Sequence, residues 1–90
     1  MLHVAGPARD FILTQSPDAQ LEILQALKTI EERPLSGEYL PFPWVPGILG
    51  CTTTHYFITY RLNDEIPQVA SVVKMPTAGD VQRAFEQRPP

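Results

Sequence analysis

The sequence predicts an α+β fold: a small antiparallel sheet of roughly three to five strands, two N-terminal helices packed on one of its faces, and a short C-terminal helix. Two observations lead there. From Cys51 to Met75, two arms rich in β-branched and aromatic residues flank the polar segment Leu62-Asn63-Asp64-Glu65. Such residues suit a pleated, half-buried surface, and Asn and Asp tolerate tight turns, so this stretch reads as a β-hairpin. Ahead of it, Ser16-Pro17-Asp18 opens a run in which apolar residues recur at helical spacing.

In chain order, Leu2-His3-Val4 forms a short first strand that Gly6-Pro7 ends, proline being suited to the first turn of a helix. Ala8, Phe11, Ile12 and Gln15 then fall on one helical face. The rival reading is a strand over Phe11-Ile12-Leu13-Thr14. The second helix starts with an N-cap serine, a proline and an acid in the first turn. Leu21, Ile23, Leu24, Leu27 and Ile30 give it a wide apolar stripe, with Glu22, Gln25, Lys28, Thr29 and Glu32 turned outward. Arg33-Pro34 stops it, because a residue before proline is pushed out of the helical region. Pro34 to Gly50 is dense in proline and glycine, with Tyr39, Phe42 and Trp44 among them. It reads as an ordered loop whose aromatics either close the core or form a partner-binding surface. In the hairpin, Tyr56, Ile58 and Tyr60 share one face, and His55, Phe57, Thr59 and Arg61 the other. By the same alternation Val69, Ser71 and Val73 oppose Gln68, Ala70, Val72 and Lys74. Val81, Ala84 and Phe85 give a brief C-terminal helix before Pro89-Pro90.

Ninety residues fit one domain over 1–90, and 43% hydrophobic content supplies a small core. A single cysteine, Cys51, cannot form an internal bridge. There is no signal-peptide pattern and no apolar run near the roughly 20 residues of a membrane span. A cytoplasmic protein without membrane contact is expected. The net charge of -3 weighs against broad phosphate binding, whose footprint is basic.

Among chemistry-bearing residues, His3, Cys51 and His55 lack metal-ligand spacing, and no cofactor is expected. Cys51 and His55 would share a face only if no turn intervened, and a buried strand cysteine is the simpler reading. Gly47-Ile48-Leu49-Gly50 has neither the spacing nor the lysine of a phosphate loop. A cationic and aromatic set remains on the hairpin: His55, Tyr56, Tyr60, Arg61 and Lys74. Arg61 and Lys74, near strand ends, are expected to converge on a phosphate or carboxylate. The competing reading makes them edge charges that discourage aggregation.

The local text resembles one known family. Gln25-Ala26-Leu27-Lys28-Thr29-Ile30-Glu31-Glu32-Arg33-Pro34-Leu35-Ser36-Gly37 is similar to the second helix and proline–glycine loop of the RelE/ParE toxin superfamily. Tyr56-Phe57-Ile58-Thr59-Tyr60-Arg61-Leu62-Asn63-Asp64 resembles its "YRVVYRVDD" strand and turn. Val69-Ala70-Ser71-Val72-Val73-Lys74 resembles its final strand, which usually ends in a basic residue. The resemblance implies an antiparallel sheet with two helices on one face, and a cognate antitoxin that wraps the toxin. In the RelE branch it implies mRNA cleavage in the ribosomal A site; in the ParE branch, poisoning of DNA gyrase. On this basis the expected function is the toxin component of a type II toxin–antitoxin system, an mRNA interferase that inhibits growth by ribosome-dependent cleavage. Arg61 and Lys74 would contact the phosphate, and Tyr60 or His55 would assist proton transfer. The chain departs from the family where its central-strand arginines fall near Gly50, Thr52 and Phe57. The alternative is therefore a non-catalytic binding module on the same scaffold, acting on gyrase or within an assembly through Tyr39, Phe42 and Trp44.

Overall fold

The computed structural model describes residues 1–39 and 47–75. The aromatic-loop residues Phe42 and Trp44, and the expected C-terminal helix over Val81 to Arg88, lie outside the described residues. Among the described residues seven elements follow in order: β1 (His3–Val4), α1 (Gly6–Leu13), α2 (Pro17–Glu32), β2 (Glu38–Tyr39), β3 (Leu49–Thr52), β4 (Tyr56–Asn63) and β5 (Ile66–Lys74). The strands form one sheet in the order β1-β5-β4-β3-β2. The α+β class and the two helices on one face are as expected. The sheet is antiparallel from β2 to β5, but β1 joins its far edge in parallel with β5. The Ala5 N–H donates to Val69 O at 2.9 Å and prolongs that pairing by one residue before the chain turns into α1.

Both helices begin where their residues dictate. Pro7 sits in the first turn of α1, where a missing N–H costs nothing. Ser16 caps α2, its Oγ accepting from Ala19 N–H at 3.2 Å. Phe11-Ile12-Leu13 is helical, so the strand alternative is not realised. From α1, Ala8 and Ile12 are buried; from α2, Ile23, Leu27 and Ile30. They pack against Leu49, Tyr56, Ile58, Tyr60, Val69 and Val72 of the sheet. Burying each large aliphatic side chain contributes about 1.5–3 kcal/mol. The apolar stripe of α2 is narrower than its sequence suggested: Leu21 and Leu24 are 57% and 53% exposed. The inward line is set by Ile23, Leu27 and Ile30, spaced four and three apart, and Leu21 and Leu24 fall beside it.

The hairpin β4–β5 is the centre of the sheet. Asn63 pairs with Ile66, so its loop is Asp64-Glu65, with φ of 52° and 65°. Positive φ at both loop residues defines the type I′ turn that matches strand twist. Pro67 is tolerated in β5 because β1 begins pairing only at Gln68, leaving this stretch an edge. Strict alternation along β5 is broken. Thr59 pairs with Ser71 while Tyr60 pairs with Val69, so Ala70 is an extra, bulged residue. The bulge shifts parity: Val69 and Val72, which the unbroken alternation put on opposite faces, both face the core. Val73 is 47% exposed.

Part of the stretch expected as loop is strand, since Glu38–Tyr39 pairs with Gly50 and Leu49. Tyr60 ties this region down. Its ring is fully buried, its Oη donates to Pro34 O at 2.7 Å, and it accepts from Gly37 N–H at 3.0 Å. Among the described residues no helix is long and apolar enough to cross a membrane.

Two stability predictions follow from these contacts. Tyr60→Phe leaves a half-buried carbonyl and N–H without that partner and is expected to cost about 1–3 kcal/mol in urea unfolding. Glu65→Gly removes a side chain from a left-handed conformation and is expected to stabilise by about 0.5–1 kcal/mol in the same measurement.

Candidate functional site

The connection from β3 to β4 is a three-residue turn, Thr53-Thr54-His55, and a carboxylate from α2 holds it. The Thr53 hydroxyl donates to Glu22 Oε2, and the backbone N–H of His55 donates to the same oxygen at 2.9 Å. The His55 ring, protonated at Nδ1, donates to Glu22 Oε1 at 2.8 Å. Thr53 Oγ1 also accepts from Tyr56 N–H at 3.0 Å, and Thr53 N–H donates to Tyr56 O at 2.8 Å. Both carboxylate oxygens are therefore engaged. These bonds, from the Thr53 hydroxyl first and the imidazole next, lower the Glu22 pKa from 4.5 to about 2.

With Nδ1 committed to Glu22, Nε2 is the ring nitrogen left to accept a proton. The His55 side chain is 65% exposed and that of Glu22 24%. Both line a cleft of about 270 Å³ at the start of α2, shared with Asp18 and Lys74. Lys74 reaches it because it pairs with Tyr56 across β4 and β5, and Met75 N–H donates to His55 O at 2.8 Å. Tyr56 forms the floor. Its ring meets Phe11 edge-on at 6.1 Å, and its hydroxyl donates to Gln15 Oε1 at 2.8 Å.

The residues singled out in the sequence divide accordingly. His55 and Lys74 come together. Arg61 does not join them. It pairs with Gln68, five residues along β4 from Tyr56, which is about 17 Å at strand rise. The odd offset places it on the opposite face from Lys74. Tyr60 is enclosed in the core as a tether and does not line this cleft. Tyr39 belongs to the short edge strand β2. Cys51 is half-buried on the core side, separated from His55 by the turn, and burial pushes its thiol pKa up. Among the described residues no group of three or more His, Cys, Asp or Glu is placed to hold a metal ion.

Glu22 was missed in the sequence, where it read as an outward-facing helix residue. Nothing near it signals a partner, since Thr53 and His55 lie more than thirty positions away. No protein-family model matches the chain, and no curated protein matches it either.

The clamp carries an acid dependence. Because its pKa is lowered on folding, Glu22 contributes stability in full above about pH 4.5 and loses it as pH falls toward about 2. Glu22→Gln keeps the shape and removes the charge. It is expected to be less stable than the parent at pH 6, with the gap closing between about pH 4.5 and 2 in denaturant titrations.

Proposed function

We propose that this chain is a RelE/ParE-like toxin that inhibits growth by cleaving mRNA on the ribosome, and that its acid–base centre is the cleft holding His55 and Lys74. The observation that carries this reading is the orientation of His55 by a locked, ionised Glu22 beside Lys74. A general base needs a fixed tautomer and an accessible lone pair, and this pair supplies both. In the proposed step, His55 Nε2 accepts the proton of a ribose 2′-hydroxyl. The oxygen attacks the adjacent phosphorus, and the bond to the 5′-oxygen breaks. The Lys74 ammonium offsets charge on the non-bridging oxygens, and the departing 5′-oxygen takes a proton from water. The products are a 2′,3′-cyclic phosphate and a 5′-hydroxyl. Glu22 is a positioning residue. The resemblance over residues 2 to 75 supports the toxin assignment and a small antitoxin protein as partner.

A second reading is a non-catalytic module that acts through protein contacts, on gyrase or within an assembly. The separation of Arg61 from Lys74 favours it, because the cationic cluster expected on the hairpin is split between two faces.

Induced expression in a bacterium, with pulse-labelling of protein and DNA synthesis, tests both. The cleavage reading expects protein synthesis to collapse first, with fragments ending in a cyclic phosphate. His55→Gln and Lys74→Ala are expected to lower cleavage by about 10²–10⁴-fold with folding retained. Arrest of DNA synthesis, or full cleavage by the His55→Gln variant, sinks the proposed centre. Glu22→Gln is expected to change the pH profile of cleavage, a readout that a purely structural role would leave unmoved.

A further inference from the structure

On the sheet face away from the helices, three polar side chains stand in a row. His3 of β1 pairs with Gln68 of β5, and Gln68 pairs with Arg61 of β4. Partners on adjacent strands present their side chains to one face, and neighbouring strands lie about 4.8 Å apart, so the row spans about 10 Å. It lines a cleft of about 340 Å³, within the roughly 300–1,000 Å³ usual for ligand sites. The other lining residues are aliphatic, among them Ile48 and the bulged Ala70. Arg61 is exposed, and among the described residues it has no acidic partner.

We propose that this cleft binds an extended peptide segment through a carboxylate carried next to an aliphatic side chain. The Arg61 guanidinium offers the paired donors that match a carboxylate. The Gln68 amide adds a neutral donor on the neighbouring strand. The aliphatic lining, with the bulged Ala70 among it, takes the adjoining side chain. A nucleic-acid strand fits less well. The row holds one permanent cation, whereas affinity for a phosphate backbone grows with the number of cations. Among the described residues no aromatic side chain lines the cleft for a base to stack on. The site is independent of the proposed cleavage centre, sharing no residue with it and lying on the other face of the sheet.

The test is an NMR titration of the full ¹⁵N-labelled chain with four probes. They are acetyl-Val-Glu-Val-amide, the same peptide with Gln for Glu, sodium isovalerate and a short oligouridylate. The acidic peptide is expected to move the amide signals of Arg61, Gln68 and Ala70 saturably. The Gln peptide is expected to bind about tenfold more weakly or worse. Arg61→Gln is expected to cost the acidic peptide a similar factor, with the circular dichroism spectrum unchanged. Arg61→Lys, which keeps the charge and loses the fork, provides a second variant should Arg61→Gln not fold, and is expected to bind several-fold more weakly. Isovalerate binding as tightly as the peptide would overturn the peptide assignment. Tighter binding of oligouridylate at the same signals would replace it with a nucleic-acid site. Unchanged peptide affinity in both Arg61 variants, or no saturable shift with any probe, would remove the site altogether.

Discussion

The contact between the Glu22 carboxylate and the β3–β4 turn holds much of this molecule in place. One side chain from α2 accepts from the Thr53 hydroxyl, the His55 backbone and the His55 ring. Apolar packing alone would let α2 slide on the sheet, because the hydrophobic effect has no direction. Three hydrogen bonds at the turn fix its position, and a charged acceptor makes them stronger than neutral ones. The same bonds fix the tautomer and ring position of His55. A structural anchor and the orientation of a potential base are thus a single feature.

A second constraint comes from the bulge at Ala70. In a regular hairpin, side chains along β5 would alternate without interruption. The extra residue lets Val69 and Val72 both face the helices, closing the core with two β-branched side chains three positions apart. Beyond the bulge Lys74 falls on the helix side with Tyr56, whereas Gln68 before it falls on the open side with Arg61 and His3. The result is two clefts of different character on one small sheet. One sits at the helix start and is lined by a histidine, a lysine and two carboxylates. The other is mostly aliphatic and carries one guanidinium, which has no acidic partner among the described residues.

Local chemistry made much of the fold visible in advance. Pro7, Ser16-Pro17 and Arg33-Pro34 mark helix ends through backbone constraints that act within a few residues. The hairpin arms announce themselves by composition, and Tyr56, Ile58 and Tyr60 keep the expected shared face. The strand Glu38–Tyr39 was hidden because two residues carry no periodicity. Its pairing with Gly50 and Leu49 depends on a chain segment brought back from ten positions away. The bulge was hidden for a related reason: Ala70 has no residue-level mark, and only the fit of Val69 and Val72 against the helices selects it. For the candidate site, His55 and Lys74 stood out as titratable residues on the hairpin. Their grouping, the involvement of Glu22, and the enclosure of Tyr60 all depend on strand register and helix placement.

By itself, the sequence determined the α+β class, the two helices with their starts and stops, the central hairpin and the face that Tyr56, Ile58 and Tyr60 share. Each of these follows from interactions between near neighbours, or from burial patterns with a fixed period. Tertiary structure alone decided the parallel attachment of β1, the exposure of Leu21 and Leu24, and the assignment of Lys74 and Arg61 to opposite faces. All three are set by the packing of distant segments, and the last by strand register: a one-residue shift in a strand reverses the face of every side chain beyond it.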